Sequence, residues 1–449
     1  MATFHIKKGY TIPMQGEPEK KKVVLDSPKT LGICPTDFKG IKPKLTVKEQ
    51  DKVKVGTPLF FDKMQPEVQF TSPAGGTVSA INFGPRRKVL EIVITVDEDE
   101  AFEDFPQYTK ETLQAQEGAT LRDALLKAGL WPLIRRRPFN TIARLEDSPK
   151  ALFINCMDTA PIAADPDFAL EGKGELFAMG VAAMKQIVGD SVHVVTGKDS
   201  KGVFDQAEGV HSHQFSGKHP AGLVGTHIAK IDPINKGECV WVMNARDVVS
   251  IGSFFQSGRF PIHRVVALSG TGVSGTGYFE VRAGTQLKDL VGPFLQKGPQ
   301  RIISGDVLMG TGRKVEGFLG TYHHTVTVLP EPTEKQFLGW FMPGFDRPSF
   351  TRTFLSRLIP GKTFKFDTNL NGGHRAMVQS GLYEDVVALD VMPEFLVKAV
   401  LCQDIELMEQ LGILECDEED FTLCSYICPS KMEISSIIAE GLELMEKEG

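Results

Sequence analysis

The chain has 449 residues, 41% of them apolar and 24% charged, with a formal net charge of -7. Such a composition belongs to an ordinary globular protein with room for roughly two to four domains. The acidic balance argues against a general nucleic-acid binder, and seven cysteines scattered over so long a chain argue against a disulfide framework and for a reducing compartment.

Met1 to Gly16 carries lysines but neither an apolar core nor a small-residue cleavage site, so no signal peptide is expected. No run of 18 apolar residues follows, which excludes an ordinary transmembrane helix and points to a cytoplasmic protein. From about Phe38 to Val96 short apolar runs alternate with Gly and Pro turns, as in Val53-Lys-Val-Gly-Thr-Pro-Leu-Phe-Phe61 and Phe70-Thr-Ser-Pro-Ala-Gly-Gly-Thr-Val78. Strands so closely spaced predict a small all-β sandwich. The same phrases are similar to biotinyl and lipoyl carrier domains, but nothing beyond Met64 marks Lys63 as a modified lysine, and a structural sandwich is the expectation.

From about Ala119 to Asn244 the pattern turns to α/β. Leu121 to Leu130 and Glu175 to Val188 have helical spacing, while 151–155, 192–196 and 239–243 read as buried strands, an order that predicts a mainly parallel sheet. His211, His213, His219 and His227 fall between the last two strands, on a segment read as a flexible loop, without the tight ligand pairing of a closed zinc site.

From His263 to Leu329 the reading is β-rich with one helix, Gln286 to Leu295, in an order that fits a β-grasp domain. Gly270-Thr-Gly-Val-Ser-Gly275 joins strand to strand rather than strand to helix, so a tight hairpin is expected and not a phosphate cradle. Phe341 to Pro360 interleaves aromatic and aliphatic residues with Arg347, Arg352 and Arg357, as a core-packing helix or as a stretch facing a membrane partner or lipid headgroups. From Met392 the chain is expected to be helical, ending in a helix from Glu433 to Glu446.

Cys424-Ser-Tyr-Ile-Cys428-Pro429 reads as the tail of a bacterial iron-sulfur run, C-x2-C-x2-C-x3-C-P, whose first two cysteine positions hold Glu418 and Phe421. Cys402 and Cys416 lie upstream, without the close paired spacings of structural zinc. The segment keeps Cys424 and Cys428 as a degenerate cluster motif and no bound metal is expected.

The phrases His5-Ile-Lys-Lys-Gly9, Ser216-Gly-Lys-His-Pro220, Phe254-Phe-Gln-Ser-Gly-Arg-Phe-Pro-Ile-His263 and Leu423-Cys-Ser-Tyr-Ile-Cys-Pro429 occur in that order. They closely resemble the A-subunit family of the bacterial sodium-translocating NADH:quinone reductases, over essentially the whole chain. More distant relatives are the iron-sulfur protein of the Rnf complex and the NADH-binding flavoprotein of complex I. The resemblance implies a β barrel-sandwich domain over 1–100, a Rossmann-like α/β domain over 101–255, a β-grasp domain over 256–335 and a C-terminal helical domain over 336–449 with a degenerate ferredoxin-like motif.

It also implies what has been lost. Where those relatives hold flavin and NADH on a glycine-rich loop, this chain reads Ala128-Gly-Leu-Trp131-Pro-Leu-Ile-Arg135, with one glycine and a bulky Trp131 in the space of an isoalloxazine. Cys156-Met-Asp-Thr-Ala-Pro161 lacks paired acids for a nicotinamide ribose. NADH, flavins and sodium movement are then expected on other subunits, and this one on the cytoplasmic face of the bacterial inner membrane. There it would cap the membrane part, chiefly its quinone-side subunit, and bind ubiquinone or menaquinone. A quinone needs a flat apolar slot and donors to its carbonyl oxygens. Trp131, Arg135, Arg137 and Phe139 supply both types in one short segment and are the expected quinone-binding residues. A docking scaffold without ligand, and an iron-sulfur electron-transfer protein using Cys402, Cys416, Cys424 and Cys428, are the alternatives.

Overall fold

The computed structural model describes residues 2–332 and 341–449, and shows a mixed α/β chain built on four sheets. Thr30–Ile33, Val89–Val96, Gly76–Phe83 and Lys52–Val53 form an antiparallel four-stranded sheet, and Pro43–Leu45, Pro58–Asp62 and Gln69–Thr71 a three-stranded one. Their shared core holds Phe60 and Phe70, stacked with centroids 4.4 Å apart, with Phe38 edge-on to Phe70. Lys63 lies in the exposed turn after Pro58–Asp62.

The seven-stranded sheet runs Ala2–Ile6, His211–Gly217, Val192–Gly197, Leu152–Asn155, Val240–Asn244, Arg135–Arg137, Thr141–Ile142. The first five are mutually parallel; Arg135–Arg137 runs antiparallel to Val240–Asn244. Near-continuous apolar runs such as Leu-Phe-Ile at 152–154 suit strands covered on both faces. The stretch with His211 and His213 is therefore a paired strand and not a loop: its alternating polar residues hide the strand pattern, and backbone pairing on both edges supplies what side chains do not. Helices Gly174–Val188 and Ala245–Ser257 pack against each other so closely that a Cβ on Gly252 would sit 1.9 Å from the Leu176 carbonyl oxygen. That contact fixes the helix whose first turn enters the site described below.

A six-stranded sheet follows, ordered Thr311–Arg313, Gln300–Ser304, Thr325–Pro330, His263–Ser269, Gly277–Arg282, Lys22–Val24. The antiparallel pair His263–Ser269 and Gly277–Arg282 is closed by the glycine-rich hairpin. The helix expected over 286–295 is shorter, Leu287–Val291, and gives way to a 3-10 turn at Gly292–Phe294, where Pro293 has no N–H to continue it. Two strands from the first 25 residues are paired outside the sandwich, one in each of the two larger sheets. The expected boundary at 335/336 lies outside the described residues.

The C-terminal part packs helices Pro393–Leu401, Ile405–Gln410, Thr422–Ile427 and Ile434–Glu448 around a core that includes Cys416, Cys424 and Cys428. Residues 341–360 contain no α-helix, only a 3-10 turn at Leu355–Leu358.

Candidate functional site

Leaving the strand Leu152–Asn155, the chain winds outward through Val192–Gly197 and His211–Gly217, then returns to place Val240–Asn244 on the other side of Leu152–Asn155. The strand order reverses between these two neighbours, and open α/β sheets hold ligands at the carboxyl ends of such a pair. A cavity of about 320 Å³ lies there, reached by Asn155, Asp158, Asn244 and Arg246 from the α/β domain and by Asp306 and His323 from the six-stranded domain. Asn155 shapes its floor: Nδ2 donates to the Gly222 carbonyl at 2.8 Å while Oδ1 accepts from the Met157 N–H at 3.1 Å. Asp158 is exposed at the mouth of the crevice, where partial desolvation, then the charge of Asp306, raises its carboxyl above the usual range.

A second cavity, about 130 Å³ and mainly apolar, shares Arg246 and His324 with the first. Its walls come from three domains, with Phe38 and Phe70 from the sandwich, Leu130, Pro132 and Val249 from the α/β domain and Leu319 from the six-stranded domain. Gly129 makes this junction possible. It sits at φ +70°, and a Cβ there would lie 2.5 Å from Thr71 Oγ1, the hydroxyl that donates to the Ala128 carbonyl.

One end of the apolar cavity is polar. Arg264 donates from Nη1 to the Thr321 carbonyl at 2.7 Å and from Nη2 to that of Gly320, and burial draws its guanidinium down to about 10. Arg246 Nε and Nη2, Arg264 Nε and both ring nitrogens of His324 are buried without a hydrogen-bond partner. Burial, reinforced by Arg246 and Arg264, drives His324 well below its ordinary range, so the ring is neutral at physiological pH. Asp247 is raised to about 6 by burial, against the opposing pull of Arg135, Arg264 and Arg246. Unspent donors beside an apolar slot suit a planar ligand carrying acceptor oxygens.

The four expected quinone residues do not line one pocket. Arg135 alone stands on a cavity wall, in the polar crevice, its guanidinium over the Tyr322 ring at 5.2 Å. Trp131 is fully buried, donating from Nε1 to the Ala143 carbonyl at 2.8 Å and meeting Trp241 edge-on, while its neighbours Leu130 and Pro132 face the apolar cavity. Arg137 is committed to ion pairs with Asp417 at 3.0 Å and Glu419 at 2.6 Å. Phe139, at φ +81°, packs against the C-terminal core. Sequence reasoning missed Arg246, Asp247 and His324. Asn244-Ala-Arg-Asp247 stands where a parallel strand meets its helix, and the carboxyl-end rule marks that position; His324 carries no local signal.

The cysteines are separated by burial: Cys402 is exposed, whereas Cys416, Cys424 and Cys428 are buried. Cys428 Sγ accepts from the Tyr383 hydroxyl at 3.0 Å and burial raises the Cys424 thiol well above its ordinary value. His193 Nδ1 and His213 Nε2 are 3.0 Å apart, His219 meets Thr159, and His227 meets the Ala221 carbonyl. Among the described residues no three His, Cys, Asp or Glu side chains are grouped so as to hold a metal ion.

Comparison with known proteins gives three family-model matches: the NqrA N-terminal barrel-sandwich hybrid domain at residues 4–97, the NqrA second alpha/beta domain at 116–260 and the NQRA C-terminal domain at 265–316. The chain is 38% identical to the A subunit of the Na(+)-translocating NADH-quinone reductase of Neisseria meningitidis over 447 residues, with 99% of each chain covered. It is equally similar to the A subunits of the Saccharophagus degradans and Pseudomonas aeruginosa reductases, again over 99% of each chain.

Proposed function

The chain belongs to the A-subunit family of the Na(+)-translocating NADH-quinone reductases, which are multi-subunit oxidoreductase complexes, and from that premise we propose that it holds quinone in the apolar cavity between its domains. Among the described residues no helix is long and apolar enough to cross a membrane, which agrees with a peripheral position. In this reading the chain caps the membrane subunits on the cytoplasmic face, and flavins, NADH and clusters belong to other subunits. We read its parallel sheet as Rossmann-like, its six-stranded sheet as a β-grasp and its C-terminal helices as a degenerate ferredoxin-like domain.

The observation that carries the quinone reading is the set of unpartnered donors on Arg246 and His324 at the end of an apolar slot. An engineered apolar cavity of about 150 Å³ takes up benzene, so the volume suits one six-membered ring. Arg246 and His324 donate to the ring oxygens, and the cationic guanidiniums favour the negative charge that builds on those oxygens as electrons arrive. Arg135 adds positive potential from the polar crevice; Trp131, Arg137 and Phe139 hold the walls in place.

Titration with a short-chain quinone, followed by tryptophan fluorescence, tests the reading, because Trp131 is buried directly behind the cavity-lining Leu130 and Pro132. Saturable quenching is expected, with affinity at least tenfold weaker in Arg246→Gln and in His324→Leu. Quenching that does not saturate, or that both variants leave unchanged, would return the chain to a docking scaffold without ligand.

A further inference from the structure

Residues 341–381 hold six Lys or Arg against two Asp, a net charge of +4 in a chain whose total is -7. The stretch has neither α-helix nor strand, yet it is pinned along its inner side. Phe364 is buried and bridges to Met14, Phe350 meets Tyr10 edge-on at 5.3 Å, and the Arg375 N–H donates to the Ser430 carbonyl at 3.0 Å. Its outer side exposes Phe345, Leu355, Leu358, Ile359, Leu370 and Val378. Among the described residues Arg352, Arg357, Lys365 and Arg375 have no carboxylate partner.

Exposed apolar side chains gathered in one segment and interleaved with unpaired cations mark an interaction face, and the cations select an acidic counterpart. The backbone decides between lipid and protein. Segments that lie in a bilayer interface do so as amphipathic helices, because N–H and C=O groups left open are costly near hydrocarbon. An irregular segment keeps those groups available for hydrogen bonds to another polypeptide.

We propose that residues 341–381 are the docking face for another protein of the reductase complex, one that presents an apolar surface rimmed by carboxylates. The proposal rests on membership of the complex and is independent of the quinone reading.

The test is retention of the other reductase subunits on the affinity-tagged chain, purified from detergent-solubilised membranes, for R352E/R357E and L358S/I359S, with R86E/K88E on the exposed turn of the sandwich as control. Both face variants are expected to retain at least tenfold less partner than wild type and the control to retain all of it, with circular dichroism and melting temperature of the isolated chain unchanged. Full retention by both face variants overturns the proposal. So does sedimentation of the isolated chain with phosphatidylcholine vesicles containing 30% phosphatidylglycerol that R352E/R357E abolishes while assembly in detergent persists, since that outcome reassigns the face to lipid.

Discussion

Arg137 Nη1 lies 3.0 Å from Asp417 Oδ2, an ion pair buried on both sides that ties the antiparallel strand Arg135–Arg137 of the seven-stranded sheet to the C-terminal helices. Burial works against the charged guanidinium, but Asp417, Glu419 and Asp420 outweigh it and hold Arg137 above its ordinary value. Arg137→Met leaves those carboxylates without their cation, and removing one member of a buried pair costs about 3–5 kcal/mol. Chemical denaturation should show that loss, with Arg137→Met/Asp417→Asn recovering part of it.

Asp420 belongs to the same group, and burial and Glu419 push its carboxyl up to about 8. A carboxyl raised in the folded state contributes stability that is complete below its unfolded pKa and is lost as pH rises through the folded value. The loss is about 1.4 kcal/mol per pH unit for one proton. Melting temperature should therefore fall as pH rises from about 5 to about 8 and level off above, and Asp420→Asn should flatten that slope. An unchanged slope in the variant would remove Asp420 as its source.

Asp247 is raised to about 6, so near pH 7.5 it is ionised in a site that disfavours the charge. Asp247→Asn should be more stable than wild type at pH 7.5 by about 1–3 kcal/mol, from a rise of roughly two pH units at about 1.36 kcal/mol each. The difference should shrink toward pH 5, where the wild-type carboxyl regains its proton. Comparing unfolding free energies at the two pH values checks the sign.

Gly129→Ala combines a positive φ with a Cβ 2.5 Å from Thr71 Oγ1. The strained backbone alone costs more than about 1 kcal/mol, and the collision separates the sandwich from the α/β domain at the cavity wall. Loss of about 2–4 kcal/mol and weaker quinone affinity are expected together, as read by denaturation and by the fluorescence titration.

The apolar runs at 152–154 and 192–195 and the helical spacing from Leu176 to Ile187 announce their elements in the sequence, because burial on both faces of a sheet, or along one stripe of a helix, leaves a periodic trace. His211–Gly217 leaves none. Phe215 is its single buried apolar side chain, too little for a pattern, and its place comes from the strands beside it. The candidate site is hidden for a different reason: Arg246 and His324 are remote in sequence and meet only when two domains close on each other. The short segment with Trp131 and Arg135 is nonetheless close to it, since Leu130 and Pro132 form part of the same wall.

Ala2–Ile6 pairs with His211–Gly217, and Lys22–Val24 with Gly277–Arg282. Residues 2–6 therefore wait for residue 217, and residues 22–24 for residue 282, before they find their partners. Until then the two strands have open edges, and neither large sheet can complete its rim. The stretch between Ile6 and Lys22 thus ties one large sheet to the other, and pulling it loose would open an edge of both at once.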